Sequence, residues 1–211
     1  MSERNLIEWV TDNLLLLQLC SIASLRKSLL ETRMQKIVFL TQADLWQNKV
    51  GGFDYNFEKW DHGPFSMELR DDQRQLRQTG LLSYTQRGFR VRPRGIELLK
   101  EFNDMFERNT YVVDKIQKYS DNIMEFTKKE FKKMLDFVYS KPNPLSPYET
   151  IKETDHKSPL LNRTLWKETI NPFDISKEEA DSLEILLNPK LSRLLKEGRT
   201  SVQNEPLIEL K

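Results

Sequence analysis

The chain has 211 residues, 38% of them hydrophobic, which is enough for one large core or two small ones. Thirty-three Lys+Arg against 32 Asp+Glu leave a net charge of +1, so attraction for a polyanion would have to come from local clustering and not from the total. A lone Cys20 excludes an intramolecular disulfide and a cysteine-only metal site, and it fits a reducing, cytoplasmic compartment.

Leu6, Ile7, Val10, Leu14 and Leu17 recur at three- and four-residue steps and predict a helix over about 5–19 with one apolar face. Its apolar run is short of a membrane span, acidic Glu3, Glu8 and Asp12 precede it, and no small-residue cleavage site follows. A soluble, unexported protein that does not engage membranes is expected. After a mixed segment at 21–31, a second helix carries Met34, Ile37, Val38, Phe39, Leu45 and Trp46 and ends before Gly51-Gly52.

Phe53, Tyr55 and Phe57 alternate with polar residues, the period of a short extended segment with its aromatic side inward. Gly63-Pro64 is read as a turn, and Trp60, Gly63 and Pro64 as a structural corner with Gly63 extended or at positive φ. Ser66 is a good N-cap for a helix to Thr79 that points Leu69 and Leu76 inward and stops at Gly80. Leu81–Tyr84 and Phe89–Val91 predict a hairpin around Arg87-Gly88, and Pro93 suits the first turn of the next helix. This order of elements predicts a mainly α protein with a small β-hairpin, in which residues 30–106 form a winged-helix-like core with additional helices around it.

Arg70, Arg74 and Arg77 fall on one stripe of the predicted helix, away from Leu69 and Leu76, where a recognition helix carries its DNA contacts. Arg87, Arg90, Arg92 and Arg94 lie on the hairpin and just beyond it, where a wing meets phosphates. Between Glu68 and Arg94 seven arginines face Glu68, Asp71 and Asp72, a local excess of four positive charges. The competing readings are a solvated face, with Asp71 pairing Arg74, and a grip on an acidic protein.

Further helices follow through Leu98, Phe102 and Phe106 and across Tyr111–Tyr139, until Pro142, Pro144 and Pro147 break the pattern. Residues 148–155 are read as one short helix and 160–173 as a surface loop anchored by Trp166. Ser176-Lys177-Glu178-Glu179 is a capping box that opens a helical segment to Gly198 with Leu183, Leu186, Leu187, Leu191 and Leu194 on one face. On spacing alone that stripe is core or a docking face. Residues 199–211 lack periodicity and are read as loose.

Chemistry has few carriers. Asp61-His62 and Asp155-His156 are the only histidine pairs, each more economically placed at a turn than in a metal or acid/base site. No H-E-x-x-H, phosphate-cradling glycine loop or G-x-S-x-G is present, so no catalytic residue, metal or cofactor is expected and an enzyme is the third reading.

Arg33-Met34-Gln35-Lys36-Ile37-Val38-Phe39-Leu40 and Trp60-Asp61-His62-Gly63-Pro64-Phe65-Ser66 resemble two signatures of the SocA-like, or Panacea, domain of bacterial and archaeal antitoxins, with His62 where tyrosine is usual. A partial third match runs from Leu145-Ser146 through Tyr148-Glu149-Thr150-Ile151 to Thr154-Asp155-His156 and Ser158-Pro159-Leu160, so that the domain would span 1–160, with a loop at 161–175 and the amphipathic segment at 176–198. The resemblance implies that Gln35, Lys36, Trp60, Gly63, Pro64 and Ser66 are motif residues of a binding module that neutralises a cognate protein toxin, and operon autoregulation would join that role to DNA binding. The Glu179–Leu191 stretch is also similar to the tails of small antitoxins. That likeness shifts Leu183, Leu186, Leu187, Leu191 and Leu194 towards the toxin.

Overall fold

The computed structural model describes residues 4–24, 29–165, 171–191 and 194. It is mainly helical with small antiparallel sheets. Trp166, the Gly198 stop and the 199–211 tail lie outside the described residues.

Helix α1 (Leu6–Ser24) is the axis of the core. The sequence periodicity predicts one apolar face, but Val10 and the whole of Leu14–Leu17, with Leu19, Cys20 and Ala23, are fully buried, while Ile7 stays exposed. A helix apolar on all sides is stable only when surrounded, and this one is. Its Leu6–Ala23 stretch is long and apolar enough to cross a membrane, and 61% of it is buried inside the fold.

Leu29 makes an isolated antiparallel bridge to Phe89 before α2 (Glu31–Gln47) begins. Beyond α2, Phe53, Tyr55 and Phe57 are buried as their alternation predicts, although only Phe57 lies in a strand. β1 (Phe57–Trp60) pairs with β2 (Gly63–Phe65), and the turn falls on Asp61-His62, two residues earlier than the Gly63-Pro64 turn expected from the sequence. Gly63 follows the turn at φ +84°.

α3 (Met67–Gln78) starts at Ser66, whose hydroxyl accepts from the Leu69 N–H at 3.3 Å, and the chain leaves through Gly80 at φ +74°. β3 (Leu82–Thr85) and β4 (Gly88–Val91) form the expected hairpin. Gly88, at φ +87°, lies against the Leu29 backbone so closely that a Cβ would collide with it, so glycine is required twice over. α4 (Pro93–Glu101) has Pro93 in its first turn, and α5 (Asn103–Arg108) and α6 (Thr110–Met124) continue the helical run. A 3-10 turn at Lys128–Glu130 leads into α7 (Phe131–Tyr139).

Two stretches depart from expectation. Residues 148–155 are not a helix: β5 (Pro142–Asn143) pairs with β6 (Ser146–Thr150), and a turn follows. The described ends of 160–173 also differ from a surface loop: β7 (Pro159–Leu161) adds to the free side of β1 and buries Leu160 and Leu161, and Phe173 enters the core. Of the 161–175 segment, Leu161 and Phe173 are buried in the same core as 1–160. α8 (Lys177–Leu187), opened by the Ser176–Glu179 capping box, packs on α1.

Candidate functional site

The motif residues assemble into an elbow between α2 and the β2–α3 junction. Gln35 donates its amide to the Ser66 carbonyl (3.0 Å) and accepts from the Ser66 N–H (2.9 Å), so one side chain supplies the two bonds a neighbouring strand would give the end of β2. Lys36, next along the helix, donates to the Pro64 carbonyl at 2.7 Å. Both side chains are buried, and burial lowers the Lys36 pKa to about 7. Tyr139 on α7 donates to the Asp61 carbonyl (2.8 Å), and Trp60 packs on Phe65 with ring centroids 5.4 Å apart. The elbow thus fixes where α3 begins.

The histidine pairs come near one another without forming a ligand set. His156 Nδ1 lies 3.5 Å from Asp61 and its ring meets Trp60, whereas the His62 ring turns to Phe131. Among the described residues no group of three or more His, Cys, Asp or Glu is placed to hold a metal ion.

The inward side of α3 carries two of the acids that offset the arginines in sequence. Asp72 is buried and is bound by Arg4 (2.6 and 2.9 Å) and by the Tyr55 hydroxyl (2.8 Å); Arg4 also reaches the fully buried Asp12 at 2.7 Å. One turn earlier, Glu68 is gripped by the buried Arg163 at 2.8 and 2.9 Å. Burial raises the Asp72 and Asp12 pKa values against the opposing pull of Arg4. Sequence reasoning missed Arg4 and Arg163. Nothing local points them to α3, since the α3 carboxylates they bind lie 68 and 95 residues away.

The outward side of α3 is cationic. Arg70 makes a 3.2 Å pair with Glu31, Arg74 a 2.9 Å pair with Asp71, and the Arg77 guanidinium lies 5.8 Å from the Tyr84 ring centre on the hairpin. Arg87, Arg90 and Arg92 are exposed on the hairpin and its exit, and among the described residues no ion pair engages them or Arg77. Arg94 is different. It turns inward and donates to the Thr79 carbonyl at 3.1 Å, tying α4 to the end of α3.

The leucine stripe does not form a free face. Leu183 and Leu187 have no accessible surface and, with Ala180, belong to the core. Leu186 and Leu191 are half-buried and Leu194 is exposed. The stripe is apolar as its spacing predicts, but Leu183 and Leu187 are buried on a helix that packs against α1, which corrects the assignment of these two to a partner. Arg108 adds a 2.7 Å ion pair to Glu179 at the helix start. No protein-family model, curated protein or solved structure gives a significant match to this chain.

Proposed function

We propose that the chain is a non-catalytic binding protein of winged-helix type whose α3 face and β3–β4 hairpin bind duplex DNA. The supporting order is helix α1, bridge residue Leu29, helix α2, helix α3 and hairpin, with 48–66 inserted ahead of α3. The observation that carries the reading is the sorting of charge around α3. Arg4 and Arg163 neutralise Asp72 and Glu68 on the inside, so the near-zero net charge of the protein conceals an outer face of Arg70, Arg74 and Arg77 beside Arg87, Arg90 and Arg92. The pairs of Arg70 with Glu31 and Arg74 with Asp71 are exposed and worth little, so phosphates can replace both acids at small cost.

A titration of labelled duplex DNA from the region upstream of its own gene tests this. Arg70→Ala/Arg74→Ala is expected to bind at least ~10-fold more weakly than the parent at about 50 mM salt, and to lower the slope of log K against log salt by roughly 0.9 for each phosphate left without its arginine. Absence of parent binding at that salt would remove the reading.

The second reading is an antitoxin that sequesters a protein toxin, and it is compatible with operon autoregulation by the first. What favours it is the open apolar surface around the elbow, where Trp60, Met67 and Phe131 are 37%, 51% and 39% exposed. On this reading the toxin meets the elbow and not the buried leucines. Either role places the protein in the cytoplasm, away from membranes, with no cofactor.

A further inference from the structure

We propose that the cavity at the elbow binds a carboxylate carried on a flat apolar body, with the Lys36 ammonium as anchor and the Trp60 and Phe65 rings as wall. Such a site goes beyond the DNA reading and stands whether or not α3 contacts DNA. The cavity has a volume of about 280 Å³, near the lower end for small-ligand sites, and Lys36, Trp60, Phe65 and Arg70 are among its lining residues.

Lys36 carries an unbalanced charge. It is 2% exposed and, among the described residues, donates to a single acceptor, the Pro64 carbonyl, although an ammonium has three N–H groups to place. Arg163, as deeply buried, holds the Glu68 carboxylate; among the described residues no carboxylate lies within ion-pair distance of Lys36. A buried cation without a counter-charge is costly, and the drop of its pKa to about 7 reflects that cost. A carboxylate entering the cavity would supply both the charge and the missing acceptors.

The rest of the lining selects among anions. Trp60 and Phe65, tilted at 56° with centroids 5.4 Å apart, offer aromatic surface to a flat apolar group, and Trp60 remains 37% exposed. Arg70 adds a second cation, now held by Glu31 in an exposed pair that a ligand can exchange at small cost. Glu31 and Asp61 also line the cavity, and their charges disfavour a phosphate dianion relative to a monocarboxylate. Two sources share this chemistry: a free aromatic acid and the C-terminal residue of a polypeptide.

Calorimetric titration of the full chain with phenylacetate and with the peptide Gly-Gly-Phe, as acid and as amide, tests the proposal. Saturable binding of at least one carboxylate at about 1 mM or tighter is expected, with phenethylamine and the peptide amide at least ~10-fold weaker. A preference of about tenfold for the peptide acid assigns the site to a polypeptide end, and the opposite preference assigns it to a small molecule. Lys36→Met and Trp60→Ala should each weaken the preferred probe by at least ~10-fold with an unchanged circular dichroism spectrum. No saturable binding by either acid overturns the inference, as does unaltered affinity in Lys36→Met. If Lys36→Met does not fold, unaltered affinity in Trp60→Ala, where the ring is partly solvated, overturns it equally.

Discussion

Truncation of the chain after Phe173 is expected to abolish cooperative folding instead of releasing a docking arm. The cut removes Ala180, Leu183 and Leu187, all buried against the central helix α1. Truncating one buried leucine to alanine costs about 2–5 kcal/mol, and a domain has only about 5–15 kcal/mol to lose. The graded version is Leu183→Ala/Leu187→Ala, expected to lose about 4–8 kcal/mol in urea unfolding, the range allowing for coupling between neighbours one turn apart. Ile185→Ser, on the exposed side of the same helix, should stay within about 0.5 kcal/mol of the parent. A truncated chain that melts cooperatively within a few degrees of the full one would return α8 to the role of a partner-binding arm.

The second large effect is expected at Arg4. In Arg4→Ala the Asp12 and Asp72 carboxyls keep their burial and lose their counter-charge, which costs about 3–5 kcal/mol at pH 7. The pH dependence has a definite sign. Burial already holds both carboxyl pKa values above that of an exposed aspartate, and without Arg4 they rise further, so the folded chain binds more protons than the unfolded one from about pH 4 upward. Stability of the variant therefore falls as pH rises through this window, and its deficit against the parent should shrink between pH 7 and about pH 4.5. Urea denaturation at the two pH values measures this directly. A deficit independent of pH would mean that Arg4 acts through packing over the Tyr55 ring, 5.0 Å away, and not through charge.

Local chemistry was legible in the sequence. The Ser66 cap, the Gly80 stop, the hairpin and the Ser176–Glu179 box each follow from residues within a few positions of one another, and the structure reproduces them. What periodicity does not carry is the identity of the neighbour. It marked Leu183 and Leu187 as apolar but not that they would be buried on a helix packed against α1, and it marked one face of α1 although burial extends beyond that face to Leu15, Leu16, Leu19 and Cys20. The strands β5, β6 and β7 were invisible for the same reason: β7 is three residues long and exists because β1 offers it an edge, and the predicted helix at 148–155 yields to the pairing of β6 with β5. At the candidate site, the outer arginines were readable from spacing. The inner ion pairs that make their charge count were not, since Arg4 and Arg163 reach α3 from outside its sequence neighbourhood. The Gln35, Lys36, Gly63 and Ser66 pattern was visible as a motif, and its physical content, an α2 side-chain pair that closes the end of β2, came only with the structure.

If α3 and the hairpin are the surface that meets DNA, hydrogen–deuterium exchange of the full chain with and without a duplex from its own upstream region measures that surface most directly. The expected result is slowed exchange confined to 67–92, covering α3, β3, the Gln86-Arg87 turn and β4, with protection fading as salt is raised. Protection centred on the Asp61-His62 turn and α7, or no change in 67–92 at low salt, would contradict it.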